Sequence, residues 1–183
     1  MSESRTLGVY EGIPCHHWNE ELPLIADVLR DFRPTFVVEV GTMHGGFAAF
    51  LADTVKEWHG TVLTIDHVLY EGVGDISKAR ENLFFLQGDV FSPFVSMVVE
   101  KTLKYYQRSC IYCDGGAKRQ ELPLLGMYAD LVGVHDYGTE VSPPDCTAWA
   151  KQWSMYPVKE EEFAALQAEK GGYFVSRFWR RNL

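Results

Sequence analysis

The stretch Pro34-Thr-Phe-Val-Val-Glu39-Val-Gly41-Thr-Met-His-Gly45-Gly46 decides the fold. Its first half, Thr35 to Val40, is a short run of β-branched and aromatic residues behind a proline, the pattern of a buried strand. Gly41, Gly45 and Gly46 then make a turn whose backbone is open to close approach. From Gly45 to Trp58 the residues Phe47, Phe50, Leu51 and Val55 recur at helical spacing, and Gly60 ends the pattern. Strand, glycine turn and helix in succession open an α/β unit.

The same rhythm continues outward. Strands are predicted at Thr61 to Ile65, Leu83 to Leu86, Ser109 to Cys113 and Leu131 to His135. Helices fall between them at Ile76 to Asn82, Pro93 to Tyr106 and Gln120 to Tyr128. Such alternation predicts a Rossmann-like, doubly wound, mostly parallel sheet. After Pro143-Pro144 come a helix at Cys146 to Trp153, a short Met155 to Val158 strand, a helix at Glu160 to Lys170, and a last strand at Tyr173 to Trp179. Residues 1 to 33 read as a helical amino-terminal extension, with Leu22, Ile25, Val28 and Leu29 on one face. The 183 residues are expected to form one domain.

Composition narrows the class. Seventeen bases against 25 acids give a net charge of −8, which disfavours nucleic acid as the main partner. No apolar run is long enough to cross a bilayer, so no membrane partner and a cytoplasmic location are expected. Four scattered cysteines do not make a disulfide framework. Cys110 and Cys113 have metal-binding spacing, but on a strand they point to opposite faces. Cys15-His16-His17 has metal-ligand chemistry, yet nothing nearby completes a site, and a helix-entry or lid segment is the favoured reading. Trp149, Trp153, Tyr137 and Trp179 are read as core rather than pocket lining.

Sheets of this kind bind ligands beyond the carboxyl ends of their strands. Glu39 stands just before the glycine turn, where a phosphate would be repelled and an ammonium group would be welcome. Asp66 ends the second strand, 25 residues after Gly41, where a carboxylate accepts from ribose hydroxyls. Gly88-Asp89 follows the third, where an acid receives an adenine amino group. Three acids in register point to a nucleoside ligand carrying an amino acid, such as S-adenosylmethionine (SAM).

Glu39-x-Gly41-x-x-x-Gly45-Gly46, Asp66 and Gly88-Asp89 resemble the SAM site of class I methyltransferases. With Met43 in place of the middle glycine of GxGxG, the turn is closest to the catechol O-methyltransferase-like, macrocin O-methyltransferase and cephalosporin hydroxylase families. The resemblance spans about residues 34 to 140 and implies a carboxyl-terminal antiparallel strand. It implies that Glu39 and Gly41 meet the methionine end, Asp66 the ribose and Asp89 the adenine, with Thr42, Gly45, Gly46, His67 and Gly88 also in the cofactor site. His44 and His67 are contact or packing residues rather than catalysts.

Two more polar clusters close predicted strands: Asp114 to Glu121, containing Lys118, and His135-Asp136 to Glu140. On neighbouring strands, Asp114 and Asp136 would share a rim beside the cofactor, and paired carboxylates suit Mg²⁺. In the resembling families an aspartate after the fourth strand and an acidic pair after the fifth hold Mg²⁺. Asp114 and Asp136 match, while His135 replaces an acid, which admits a softer divalent ion or a metal-free mechanism with His135 as general base. Lys118 is the other base candidate, one residue further along than the lysine of catechol-type enzymes; as ordinary loop polarity it would sit on a solvated face. The expected activity is O-methyl transfer to a hydroxyl of a small molecule, sugar or natural-product-like, with a divalent metal as an optional assistant. An NAD-dependent oxidoreductase and a non-catalytic SAM-binding protein stay open as alternatives, and so does a homo-oligomer.

Overall fold

In the computed structural model, which describes residues 8–182, seven strands form one sheet in the order β5-β4-β3-β6-β7-β9-β8. The strands are β3 (Phe36–Val40), β4 (Thr61–Asp66), β5 (Leu83–Gln87), β6 (Ser109–Cys113), β7 (Leu131–Val134), β8 (Met155–Val158) and β9 (Arg177–Arg181). The first five run parallel, and β9 is antiparallel to both β7 and β8. Buried on both faces, a parallel strand carries apolar side chains throughout. Accordingly all of β3 is buried, and Val37 and Val38 enter opposite core layers.

One layer packs α1 (Glu21–Phe32), α2 (Gly46–Lys56) and α7 (Glu160–Glu169) through Ile25, Leu29, Phe47, Leu51 and Phe163. The other packs α4 (Pro93–Tyr105), α5 (Lys118–Leu125) and α6 (Pro143–Gln152) through Val99, Leu103, Leu122 and Trp149. Cys110 and Cys113 fall in different layers, so their spacing brings no shared ligand. Trp149 and Trp179 are core, with Trp153 and Tyr137 packed against it.

The amino-terminal reading needs correction. The helix covers only Glu21–Phe32, and an antiparallel hairpin of β1 (Gly8–Tyr10) and β2 (Ile13–Cys15) precedes it; residues 1–7 of the expected extension lie outside the described residues. The hairpin packs on α2. A Cβ on Gly46 would come within 2.4 Å of the Pro14 carbonyl oxygen, so only glycine lets the two backbones meet. Tyr10 Oη donates to Asp53 at 3.2 Å, and Arg80 bridges Asp53 and Glu11 at 2.9 and 2.6 Å. Two smaller shifts follow from local chemistry. The helix expected at Ile76 to Asn82 is α3 (Val73–Lys78), begun at Gly72 with φ 85°, and β9 starts at Arg177 rather than Tyr173.

Candidate active site

The carboxyl ends of β3, β4, β6 and β7 surround a cavity of about 670 Å³, a size suited to a drug-sized ligand. Gly41, at φ 97°, closes the end of β3; a Cβ there would lie 2.5 Å from the Asp114 carbonyl oxygen. This glycine therefore allows β3 and β6 to end side by side, where the strand order reverses.

Asp66 ties the glycine turn to β4. Its Oδ2 accepts from the Thr42 and Met43 N–H groups, both at 3.0 Å, and its Oδ1 accepts from Val68 N–H at 3.0 Å. Met43 takes the middle-glycine position at φ 44°, held there by that bond. Thr42 Oγ1 pairs with Thr64 Oγ1 at 2.5 Å behind the turn. Glu39 is fully buried, and neither of its carboxylate oxygens has a hydrogen-bond partner among the described residues. Burial pushes its pKa well above the usual carboxylate range, and the Asp114 and Asp66 charges push it further. Asp89 is exposed and caps its own turn, accepting from Phe91 N–H at 2.9 Å.

The opposite wall is denser in charge. Lys118 Nζ donates to Asp136 Oδ2 and Glu140 Oε2, each at 2.9 Å, and stands 3.5 Å from Asp114 Oδ1. Its side chain is only 4% exposed, which overturns the solvated-face reading. Burial opposes its charge, but the three carboxylates hold its pKa above the ordinary lysine value. Asp136 adopts φ 56°, a conformation costly for most side chains but tolerated by aspartate. Its Oδ1 is buried, with no hydrogen-bond partner among the described residues and His135 Nδ1 3.6 Å away.

Asp114 joins two histidines. His135 Nδ1 lies 3.0 Å from its Oδ1, and His17 Nε2 lies 3.1 Å from its Oδ2. His17 also reaches Glu21 Oε2 at 3.3 Å through Nδ1, and its ring stacks on Phe47 at 3.8 Å. Burial works against a charged His17, yet Asp114 and Glu21 hold its pKa up at about 9. Burial would raise Asp114, but the two histidines keep it below the usual range.

The sequence between residues 5 and 139 matches the family model described as Rhamnosyl O-methyltransferase/CmcI. The chain belongs to this family. It is a SAM-dependent O-methyltransferase of the class I fold. The NAD-dependent and non-catalytic alternatives fall with that assignment. No curated protein matches the chain. Among solved structures the methyltransferase is similar to CmcI-N160 in its apo form, with 16% identity over 97% of this chain and 78% of that one and a TM-score of 0.64. Similarity extends to CmcI-D160 Mg-SAM, with 16% identity over 94% and 77% and a TM-score of 0.59. An O-methyltransferase from Bacillus cereus in complex with SAH shares 11% identity over 93% and 84%, with a TM-score of 0.55. At such identities these structures establish the shared fold.

In this methyltransferase the cavity gathers Gly41, Asp66, His67, Gly88 and Asp89 on one side and Asp114, Lys118, His135 and Asp136 on the other. Glu39, Thr42, Gly45 and Gly46 are not among its lining residues. Gly45, at φ 83°, starts α2, and Gly46 seats the hairpin, so both shape the turn from behind. His44 stacks near His16 at 6.3 Å and meets Tyr70 edge-on at 5.2 Å, a packing role at the cavity mouth. Glu21 was missed by sequence reasoning and His17 was set aside as a helix-entry or lid residue, because their partners lie across the fold: 97 residues separate His17 from Asp114. The available signal was the His-x-x-x-Glu spacing, one helical turn, beside an otherwise unexplained Cys-His-His.

Proposed function

We propose that SAM lies across the Gly41, Asp66 and Asp89 side of the cavity and delivers its methyl group to a hydroxyl held against Asp114, Lys118, His135 and Asp136. The observation carrying this reading is that acids ending separate strands converge on one cavity whose far wall is the Lys118–Asp114–Asp136 cluster. Glu39, buried behind the turn with no hydrogen-bond partner among the described residues, is the carboxyl that an ammonium group at the methionine end would turn to its charged form. Asp66 has one oxygen committed to two turn amides and the other to Val68, which leaves the Oδ1 side for a ribose hydroxyl.

Lys118 is held charged, so it suits an acceptor oxygen that gains negative character as its proton leaves. His135, paired with Asp114 and lining the same cavity, is the imidazole that would take that proton, with the cavity walls aligning oxygen and sulfonium methyl for in-line displacement. A divalent ion fits the rim: Asp114, His135 and Asp136 present donor atoms within 4.8 Å of one another, and Asp136 Oδ1 has no hydrogen-bond partner among the described residues. Asp114 and Asp136 would supply the oxygens that Mg²⁺ prefers, with His135 beside them. Such an ion would lower the pKa of a hydroxyl bound to it.

The acceptor is read as a small molecule rather than a nucleic acid, supported by the net charge of −8. No described helix is long and apolar enough to cross a membrane. Four buried, unpaired cysteines support a reducing, cytoplasmic setting. Residues 1–183 are read as one catalytic unit, and exposed Phe84 on edge strand β5 with exposed Phe94 on α4 supports a homo-oligomer. Calorimetric titration with SAM, with and without Mg²⁺, tests the core of this proposal. Saturable heat that is lost in Asp66→Ala is expected; no heat at millimolar SAM overturns it.

A further inference from the structure

Beneath the cavity, two imidazoles and two carboxylates form a closed box. His17 Nε2 and His135 Nδ1 each face one oxygen of Asp114, at 3.1 and 3.0 Å. On the far side, His17 Nδ1 stands 3.3 Å from Glu21 Oε2, and His135 Nε2 stands 4.0 Å from the same oxygen. The two rings lie 4.1 Å apart, centroid to centroid. If each neutral imidazole donates its N–H to Asp114, the other nitrogen carries only a lone pair. His17 Nδ1, His135 Nε2 and Glu21 Oε2 then turn three acceptors on one another; a proton held on His17 relieves its contact with Glu21 but still leaves His135 Nε2 without a partner. Solvent cannot relieve them, since His17, Glu21 and His135 are at most 2% exposed. Facing acceptors without a donor are unfavourable in such a place, and His135 Nε2 has no hydrogen-bond partner among the described residues.

We propose that this box is a metal site in which His17 Nδ1, His135 Nε2 and Glu21 Oε2 bind a divalent transition ion such as Zn²⁺. Each of the three residues offers a ligand atom within 4.8 Å of the others, and Glu21 Oε2 stands 3.3 Å from His17 Nδ1 and 4.0 Å from His135 Nε2. Two imidazoles and one carboxylate form a donor set for borderline ions, whereas Mg²⁺ takes oxygen and water. The other nitrogen of each histidine faces a carboxylate, as ring nitrogens of metal-bound histidines do, and here one residue, Asp114, serves both. Glu21 is fixed in turn, its Oε1 accepting from Ser176 N–H at 2.5 Å. Charge closes as well: a dication balances Glu21 and Asp114. The site is distinct from the rim, which meets His135 through its opposite nitrogen. Filling it ties the start of α1 to the ends of β6 and β7 and fixes the Asp114 carboxylate that faces the cavity.

The competing filling is two protons, one on each histidine. The test uses the full chain, stripped with a chelator, dialysed against Zn²⁺ or Co²⁺ and assayed for retained metal. One ion per chain is expected, with X-ray absorption showing two imidazole ligands; the rim set offers only one. His17→Gln and Glu21→Gln should weaken retention by more than about a hundredfold, and Asp136→Asn should leave it unchanged. Circular dichroism establishes that each variant is folded. If one does not fold, the imidazole count on the unmodified chain decides alone. No retained ion, a single imidazole ligand, or retention that depends on Asp136 and not on His17 would each overturn the proposal.

Discussion

Removing the Asp66 carboxylate should loosen the glycine turn as well as the cofactor site, and the size of that effect follows from its three backbone bonds. Thr42 and Met43 donate to one oxygen and Val68 to the other. Hydrogen bonds to a charged group contribute about 1.5–3 kcal/mol each, less where water replaces the lost partner. Thr42 is buried, whereas Val68 is exposed and can rehydrate, so Asp66→Ala should destabilise by about 3–5 kcal/mol. Asp66→Asn can keep an amide oxygen on the two turn amides and loses mainly the Val68 bond and the charge, for about 1–2 kcal/mol. In a chain of this size the alanine variant should melt roughly 10 °C lower, and the asparagine variant a few degrees lower. Thermal and urea unfolding give the stabilities, and calorimetry gives SAM affinity. The alanine variant is expected to lose both, and the asparagine variant to retain weakened binding. If Asp66→Ala loses SAM yet melts at the wild-type temperature, the turn stands without Asp66, and the reasoning fails.

Gly41→Ala combines a φ of 97° with a Cβ 2.5 Å from the Asp114 carbonyl oxygen, and should cost about 2–4 kcal/mol with loss of SAM binding. Wild-type stability and affinity in that variant would sink the account of the strand ends. Arg80→Ala releases the hairpin from Asp53 and Glu11; with Arg80 13% exposed, about 1–2 kcal/mol is expected, and a double-mutant cycle with Asp53→Ala should show coupling. Because the hairpin leads into His17, kcat should fall more than the KM for SAM rises. Burial pushes the Glu121 carboxyl up to about 7, so the native state holds this proton more tightly than the unfolded chain does. Its stabilising contribution is full below pH 4.5 and fades as pH rises through 7, and Glu121→Gln should flatten that part of the stability profile.

The sheet was legible because buried parallel strands carry their own signature: β3, β4, β6 and β7 are short apolar runs, each closed by a polar or glycine residue at the cavity rim. The rim residues Asp66, Asp114 and Asp136 could be placed for the same reason, since strand ends are set by the sheet. The hairpin was not legible. Two strands of three residues, broken by Gly12 and containing Pro14, offer no periodicity, and their stability comes from Asp53, Arg80 and the face of α2. The start of β9 shifted because Val175 and Ser176 are buried for their contacts to neighbouring elements rather than as strand residues. Lys118 read as a surface residue because two of its three carboxylate partners, Asp136 and Glu140, come from the segment after β7, and that convergence exists only in three dimensions.

His135 shows why the deepest part of the site depends on the amino-terminal segment. The resembling families place an acid where this chain has an imidazole, so the end of β7 carries one negative charge fewer. That charge reappears as Glu21, fully buried on α1 and 4.0 Å from His135 Nε2. A buried carboxylate without a cation is costly, and His17 arrives from the same segment with a second imidazole against both Glu21 and Asp114. Glu21 depends on the two imidazoles beside it: without His17 and His135 it would be an isolated buried charge. The three must therefore be exchanged together. A single His135→Glu substitution restores the acidic pair of the related enzymes, yet it should set a third buried carboxylate against those of Glu21 and Asp114 and destabilise the fold. Adding Glu21→Gln to that variant should recover much of the loss, as urea unfolding of the single and double variants would read; a double variant no more stable than the single one would refute the coupling.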